Sequence, residues 1–260
     1  MKVAIVTGAA KPESIGHEVA RRLLKEGMQV VVADLYEVGF AALTQCFCLR
    51  CDVSDPDSVQ QMTDSVVSRF RRIDTLVNCV GGSWGITPKD LVASPPLGFR
   101  GVTNCSLEDW RTIVAANLDS VFYCARAAAP HLKKQGGAIV NVASVAARKG
   151  IPPGAEGSSG PYAVAKAGVM GLTRQLALEL GPFGVRVNCV APGVIGSGRL
   201  KKVLEITKQD HGPEGSLKTI PMGRVGTVDE CAALIVALCT DDTSYMTGVT
   251  VDANGASYAA

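Results

Sequence analysis

The stretch that decides the fold is KVAIVTGAAKPESIGHEV, residues 2–19, where an apolar run leads through a glycine turn into a helical pattern. The apolar run ends at Thr7 and Gly8, and Gly16 opens the helix. This order is typical of a phosphate-binding turn, because the first N–H groups of a helix attract anions. Residues 11–14, KPES, occupy the middle of the turn, where such loops usually carry another glycine. The sequence therefore predicts an anion site with an altered loop.

Six further apolar runs alternate with helical patterns along the chain. They are QVVVAD at 29–34, CFCLRCDV at 46–53, IDTLVNCV at 73–80, GAIVNVAS at 137–144, GVRVNCVAP at 184–192 and TGVTVDA at 247–253. Continuous apolar runs are typical of parallel strands that are covered on both faces. We therefore expect an α/β fold, a Rossmann-like doubly wound sheet of about seven parallel strands flanked by helices on both faces. The length of 260 residues fits one domain spanning residues 1–260.

Three irregular segments interrupt the alternation, at about 82–105, 146–160 and 193–221. Each follows a strand, so all three are expected at one edge of the sheet, where long loops usually bind ligands. Trp84 and Phe99 in the first segment either line a substrate mouth or anchor the loop.

The bulk composition excludes several classes of partner. With 47% hydrophobic and 19% charged residues the chain has the composition of an ordinary globular protein. A net charge of +2 gives no electrostatic reason to expect nucleic acid or an anionic membrane. The N-terminus leads directly into a strand, and no apolar run is long enough to span a bilayer. We therefore expect a soluble, cytoplasmic protein.

The nine cysteines are mostly scattered singly through apolar segments, which is typical of reduced, buried thiols. The exception is CFCLRC at 46–51, in which Cys48 and Cys51 have a CxxC spacing. Residues three apart on a strand face opposite sides, and the sequence has no second such pair. No metal site is predicted.

The strongest catalytic pattern is PYAVAKAGVMGLTRQLALEL, residues 161–180. Tyr162 and Lys166 are four apart on a helix, so they share a face about one turn apart. A free phenol, with a pKa of about 10, is a poor base at neutral pH. A nearby ammonium favours the phenolate and brings proton transfer within range.

Other residues stand at the ends of predicted strands. Ser144 closes the strand 137–144, NCVG at 78–81 ends another, and APGVIGS at 191–197 follows a sixth, while Asn117 lies within a long helical stretch. The set TGxxx…G, NxxG, Asn, Ser, YxxxK and VxVNxVAPG occurs in the order of the short-chain dehydrogenase/reductase family. The sequence resembles that family over nearly the whole chain.

The resemblance implies a catalytic set of Asn117, Ser144, Tyr162 and Lys166. Tyr162 would donate a proton to a carbonyl oxygen during reduction, or remove it from an alcohol during oxidation. Lys166 would lower the pKa of the tyrosine and hold the nicotinamide ribose. Ser144 would hydrogen-bond the substrate oxygen, and Asn117 would hold a water that connects the lysine to solvent. The cofactor would supply the hydride.

The resemblance also implies a set of cofactor-binding residues. They are Gly8, Ser14, Ile15, Gly16, Asp34, Leu35, Asp52, Val53, Asn78, Gly81, Pro192, Gly193, Ile195 and Ser197, together with Tyr162 and Lys166. Ser14 either caps the helix or offers its hydroxyl and N–H to phosphate. Asp52 either contacts the adenine or only shapes its turn.

The choice of cofactor depends mainly on Asp34, which ends the second strand about twenty residues after the glycine turn. Its carboxylate can accept hydrogen bonds from both adenosine ribose hydroxyls of NAD. A 2′-phosphate would meet a like charge, a repulsion of roughly 4 kcal/mol at 4 Å and an effective dielectric of 20. Lys11 could attract that phosphate, but an exposed pair contributes at most about 1 kcal/mol. NAD is therefore predicted over NADP.

The tripeptide SIG, residues 14–16, also resembles the enoyl-thioester reductase branch of the same family. That branch spaces its tyrosine and lysine more widely, and the earlier position is Ser159 here. Carbonyl chemistry is therefore favoured over alkene reduction.

These observations predict an NAD-dependent oxidoreductase that interconverts a secondary alcohol and a ketone. An alternative within the family is a 3-oxoacyl-thioester (acyl carrier protein) reductase, which would usually prefer NADPH. An alternative of another class is a non-catalytic NAD-binding or scaffold protein. The resemblance also suggests a homotetramer whose dimer contacts come from the helices after the fourth and fifth strands.

Overall fold

The computed structural model describes residues 1–82, 101–152, 159–197 and 219–259. Its strands are β1 Val3–Thr7, β2 Gln29–Asp34, β3 Phe47–Arg50, β4 Thr75–Asn78, β5 Gly137–Val142, β6 Val185–Pro192 and β7 Thr250–Ala253. Its helices are α1 Ile15–Lys25, α2 Pro56–Phe70, α3 Leu107–Val114, α4 Ser120–Leu132, α5 Ala146–Lys149, α6 Gly160–Leu180 and α7 Val228–Cys239. Much of the three predicted loops, including Trp84 and Phe99, lies outside the described residues.

The seven strands form one parallel sheet in the order β3-β2-β1-β4-β5-β6-β7. The predicted α/β fold and all seven predicted strands are confirmed. The chain winds outward from β1 to β3 and then from β4 to β7, so the direction reverses between β1 and β4. In open parallel sheets, ligands bind outside the carboxyl ends of the strands at this reversal.

Helices cover both faces of the sheet, as the continuous apolar strands predict. Alternate residues of β1 point to opposite sides: Ala4 and Val6 pack in one core cluster, Val3 and Ile5 in another. The first cluster includes apolar residues of α1 and α7, and the second those of α2 and α4. Within the described residues, no helix is long and apolar enough to cross a membrane.

The cysteine-rich strand β3 follows the predicted geometry. Cys46 and Cys48 pack against the α1 side of the sheet, whereas Cys51 lies in the core on the other side. All nine cysteines are free thiols. Burial raises the pKa of Cys46 to about 11, so this thiol is neutral at physiological pH. No group of three or more metal-ligating side chains is found in the part of the chain that the structure describes.

Candidate active site

Tyr162 and Lys166 lie in the first two turns of α6, at the carboxyl edge of the sheet. The Nζ atom of Lys166 lies 5.9 Å from the centroid of the Tyr162 ring. The lysine is 2% exposed, and its Nζ donates to the backbone oxygen of Val142 at 2.8 Å and to that of Val80 at 3.5 Å. A buried ammonium is costly unless it has such partners. The ends of β4 and β5 therefore hold this charge beside the phenol.

Gly81 brings the backbone against this lysine. Its φ is 147°, and a Cβ placed there would lie 2.7 Å from Nζ of Lys166 and 2.5 Å from Oδ1 of Asn117. A side chain at this position would displace both groups. Glycine therefore lets Lys166 and Asn117 approach the end of β4 closely.

Asn117 lies in a π-helical turn, Ala115–Asp119, between α3 and α4. Its Nδ2 donates to the backbone oxygens of Ile113 at 2.9 Å and Gly82 at 3.0 Å. Its Oδ1 accepts from Gly82 N at 2.9 Å. The sequence predicts only a helical stretch here. The π turn widens the helix so that the asparagine amide bonds to the Gly82 backbone, and such turns are frequent at functional sites.

Ser144 follows β5 at the same edge. Its Oγ accepts a hydrogen bond from Ala146 N at 3.1 Å, which occupies a lone pair of the hydroxyl. The O–H can then act as the donor toward a substrate oxygen, the role that stabilises developing negative charge. Asn117, Ser144, Tyr162 and Lys166 are thus all placed at the carboxyl ends of β4 and β5.

The altered glycine loop still forms a close turn onto α1. Gly8 has φ 70°, and a Cβ on Gly16 would lie 2.5 Å from the Gly8 oxygen. Glu13 has φ 59°, so a glutamate takes the left-handed backbone that usually favours glycine. Ser14 is the N-cap of α1, and its Oγ accepts from His17 N at 3.2 Å. The capping alternative for Ser14 is thus observed, and its hydroxyl hydrogen remains to bind an anion.

Asp34 links this loop to the end of β2. It is 9% exposed, and its two carboxylate oxygens accept from Ala10 N at 3.0 Å and from Tyr36 N at 3.1 Å. Each carboxylate oxygen has a second lone pair, so ribose hydroxyls can still bind. The Nζ of Lys11 lies 5.3 Å from the Tyr36 ring centroid. A cation therefore stands beside Tyr36, two residues after the aspartate, and the competing NADP hypothesis depends on this lysine.

The remaining residues predicted to bind the cofactor lie either in the interior of the fold or at the edge of the sheet. Val53 and Asn78 are interior, with exposed fractions of 5% and 3%. The Nδ2 of Asn78 donates to the Oδ1 of Asn141 at 2.9 Å. Asp52 shapes its turn, because its Oδ1 accepts from Ser54 N at 2.9 Å and from Ser54 Oγ at 2.6 Å.

On the nicotinamide side, the predicted residues follow β6. Gly193 N donates to the oxygen of Ala253 at 2.9 Å, which ties the loop to β7. Ile195 is 8% exposed and belongs to the core on the α1 side, while Ser197 N donates to the Ile195 oxygen at 2.7 Å. Ile15 directly precedes Gly16, and Leu35 directly follows β2. Both residues are partly exposed.

Comparison with known proteins agrees with this geometry. A family model described as enoyl-(acyl carrier protein) reductase matches residues 8–255. The chain belongs to the short-chain dehydrogenase/reductase family. It is therefore an oxidoreductase of a family that binds a nicotinamide cofactor, and the close glycine turn, the α1 N-terminus and the Asp34 carboxylate fit such a group.

Several short-chain dehydrogenase/reductase relatives align over nearly their whole length. The short-chain reductase protein NovJ of Streptomyces niveus is 35% identical over 97% of this chain and 92% of its own. A 3-oxoacyl-[acyl-carrier-protein] reductase of Staphylococcus aureus is 34% identical over 99% of this chain and 98% of its own. The ligand-free aldohexose dehydrogenase of Thermoplasma acidophilum superposes with a TM-score of 0.81, 27% identity and coverage of 98% and 92%.

Several contributors to the site are backbone features that sequence reasoning missed. They are the carbonyl oxygens of Val80 and Val142, the Gly82 peptide that pairs with Asn117, and the left-handed conformation of Glu13. The adjacent glycines 81 and 82 were the only sequence signal for any of them.

The conformation of Glu13 leads to a stability prediction. We expect Glu13→Gly to raise the free energy of unfolding by up to about 1 kcal/mol, because relief of about 1–2 kcal/mol of left-handed strain exceeds the extra chain entropy of glycine. Glu13→Gln removes the charge but keeps the strain, so it should give no such gain. Urea denaturation measures both, and an equal gain in the two variants would assign the effect to the charge instead of the backbone.

Proposed function

We propose that this short-chain dehydrogenase/reductase interconverts a secondary alcohol and a ketone with NAD. The observation that carries the proposal is the buried Lys166 ammonium beside Tyr162, held by the Val142 carbonyl oxygen at 2.8 Å. Burial places this charge where it acts on the phenol through little intervening water. The family membership supports hydride chemistry, and the Tyr162–Lys166 spacing supports a carbonyl rather than an alkene as the acceptor.

Each residue of the set has a separate task in this proposal. Tyr162 transfers the proton to the carbonyl oxygen, and the Lys166 ammonium stabilises the phenolate that results. The Ser144 O–H donates to the same substrate oxygen while its charge develops. Asn117 fixes the backbone at Gly82 and keeps the lysine connected to solvent. When bound, the nicotinamide supplies or accepts the hydride.

The proton-transfer role predicts the behaviour of Tyr162→Phe. This variant should lose turnover by roughly 10²–10⁴-fold, because the ring is kept and only the proton-transfer group is removed. NADH binding, followed by fluorescence titration, should stay nearly unchanged. Tyr245→Phe removes the hydroxyl of a tyrosine that is fully exposed to solvent and is the matched control, expected to keep full turnover. Retained turnover in Tyr162→Phe would remove this residue from the acid–base role.

The cofactor proposal rests on Asp34. Its carboxylate, at the end of β2, keeps acceptor capacity for ribose hydroxyls beyond the Ala10 and Tyr36 N–H groups. A 2′-phosphate would approach a carboxylate that has little exposure to screening solvent. Leu35 and Glu37 flank the aspartate without adding a positive charge.

We expect Asp34→Ala to lower the ratio of the NADPH to the NADH dissociation constant by at least about tenfold, because it removes the repulsion of the 2′-phosphate. Lys11→Ala is the control, expected to change this ratio by no more than about fivefold. Fluorescence titration with both cofactors measures the ratios. An unchanged ratio in Asp34→Ala, with a large change in Lys11→Ala, would show that the loop sets the choice.

A second candidate is a 3-oxoacyl-thioester reductase that uses NADPH. The position of the Lys11 Nζ, 5.3 Å from the ring of Tyr36, favours it, as does the similarity to the Staphylococcus aureus reductase. The carboxylate of Asp34 opposes it. A non-catalytic NAD-binding or scaffold protein is opposed by the complete set of Asn117, Ser144, Tyr162 and Lys166, which a pure binder does not need.

We also propose a cytoplasmic homotetramer. Apolar side chains exposed on α4 and α6 support an interface there, since Phe122, Val164 and Leu178 are 43%, 46% and 76% exposed. These helices follow β4 and β5, where the family resemblance suggests the dimer contacts.

A further inference from the structure

The helix that follows Ser144 is too short to fix its own direction. α5 has four residues, and isolated helices shorter than about 12 residues are marginal in water. Its start is attached to the site, because Ala146 N donates to Ser144 Oγ at 3.1 Å and Val145 N donates to the Pro192 oxygen at 2.8 Å. The direction of the Ser144 hydroxyl therefore depends on where α5 lies.

Arg148 ties α5 to β7. Its Nε and Nη2 donate to the two carboxylate oxygens of Asp252 at 3.2 and 3.0 Å, and Nη2 also donates to the Thr250 oxygen at 3.3 Å. The guanidinium carbon lies 5.7 Å from the centroid of the Tyr258 ring. The side chains of the ion pair are only 24% and 27% exposed. A bidentate pair of this kind fixes orientation far better than a solvated surface pair.

The chain after β7, residues 254–258, connects the Arg148–Asp252 ion pair to the loop after β6. Gly193 N donates to the Ala253 oxygen at 2.9 Å, and a Cβ on Gly193 would lie 2.7 Å from the Cα of Asn254. Lys149 Nζ donates to the Ser257 oxygen at 3.2 Å. The same short tail therefore touches both the helix after Ser144 and the loop after β6.

We propose that Arg148 is a positioning residue for the reaction. Its ion pair with Asp252 fixes α5, and α5 in turn aims the Ser144 hydroxyl at the substrate oxygen. The inference rests on the proposed function, because Ser144 is the group that Arg148 serves.

Hydrogen exchange tests, without cofactor or substrate, whether Arg148 orders α5 and the chain after β7. In Arg148→Ala, the amides of residues 145–150 and 253–258 should exchange at least about tenfold faster, because the ion pair that links the two segments is lost. Arg22→Ala is the matched control, since Arg22 also joins two elements through an ion pair, with Asp229 at 2.6 Å, but between α1 and α7 instead of at α5. It should leave both segments unchanged. Unchanged exchange in Arg148→Ala overturns the proposal.

A double-mutant cycle tests whether Arg148 acts on the reaction through Ser144. It uses NAD and a secondary alcohol that the wild type oxidises, chosen from a panel that begins with cyclohexanol. Arg148→Ala should lower kcat roughly tenfold to a hundredfold by misaiming the hydroxyl. In a Ser144→Ala background the same change should cost less than about twofold, because the group that it positions is already absent. NADH affinity should be the same in all four proteins.

The other possible results of the double-mutant cycle also test the proposal. An equal loss of kcat in both backgrounds would mean that Arg148 acts independently of Ser144, which overturns the proposal. If Arg148→Ala does not fold, Arg148→Lys keeps the charge without the bidentate fork, and it should show the same effects in weaker form. If the wild type oxidises no alcohol, the proposed function fails, whereas hydrogen exchange still decides whether Arg148 orders α5.

Discussion

The site depends on one buried charge, the Lys166 ammonium bonded to the carbonyl oxygen of Val142. A buried cation must be surrounded by acceptors, and the ends of β4 and β5 provide them. Because Gly81 has no side chain, Lys166 and Asn117 can lie close to the backbone after β4. Asn117 lies in a π turn, from which its amide reaches Gly82. The carboxyl edge of the parallel sheet brings these backbone ends together, which is why the catalytic residues gather there.

The glycine loop keeps a close turn although no glycine stands between Gly8 and Gly16. Glu13 takes the left-handed conformation, so the turn keeps its course from Gly8 to Gly16 without the expected glycine. The Asp34 carboxylate accepts from the Ala10 N–H and so ties the loop to the end of β2. One side chain therefore has both a structural task and the proposed task of selecting the cofactor. These two tasks make Asp34 a costly residue to replace.

Periodicity and residue spacing predicted most of the fold, because apolar runs alternate with helical patterns along the sequence. All seven strands and the shared face of Tyr162 and Lys166 followed from local pattern. The π turn at Asn117, the interior positions of Val53 and Asn78, and the Arg148–Asp252 pair did not. Each of these depends on residues far apart in sequence, and no local pattern encodes them. The conformation of Glu13 escaped as well, since residue type alone disfavours it.

The most direct test of carbonyl chemistry is to follow a deuteride. The wild-type protein would be mixed with NADH that carries two deuterium atoms at C4 and with a panel of ketones, 3-oxoacyl thioesters and enoyl thioesters, and the products would be analysed by mass spectrometry. The structure leads us to expect one deuterium on the carbon that bears the new hydroxyl. Deuterium on the β-carbon of a saturated thioester, with none in any alcohol, would contradict the assignment of Tyr162 and Lys166 to carbonyl reduction.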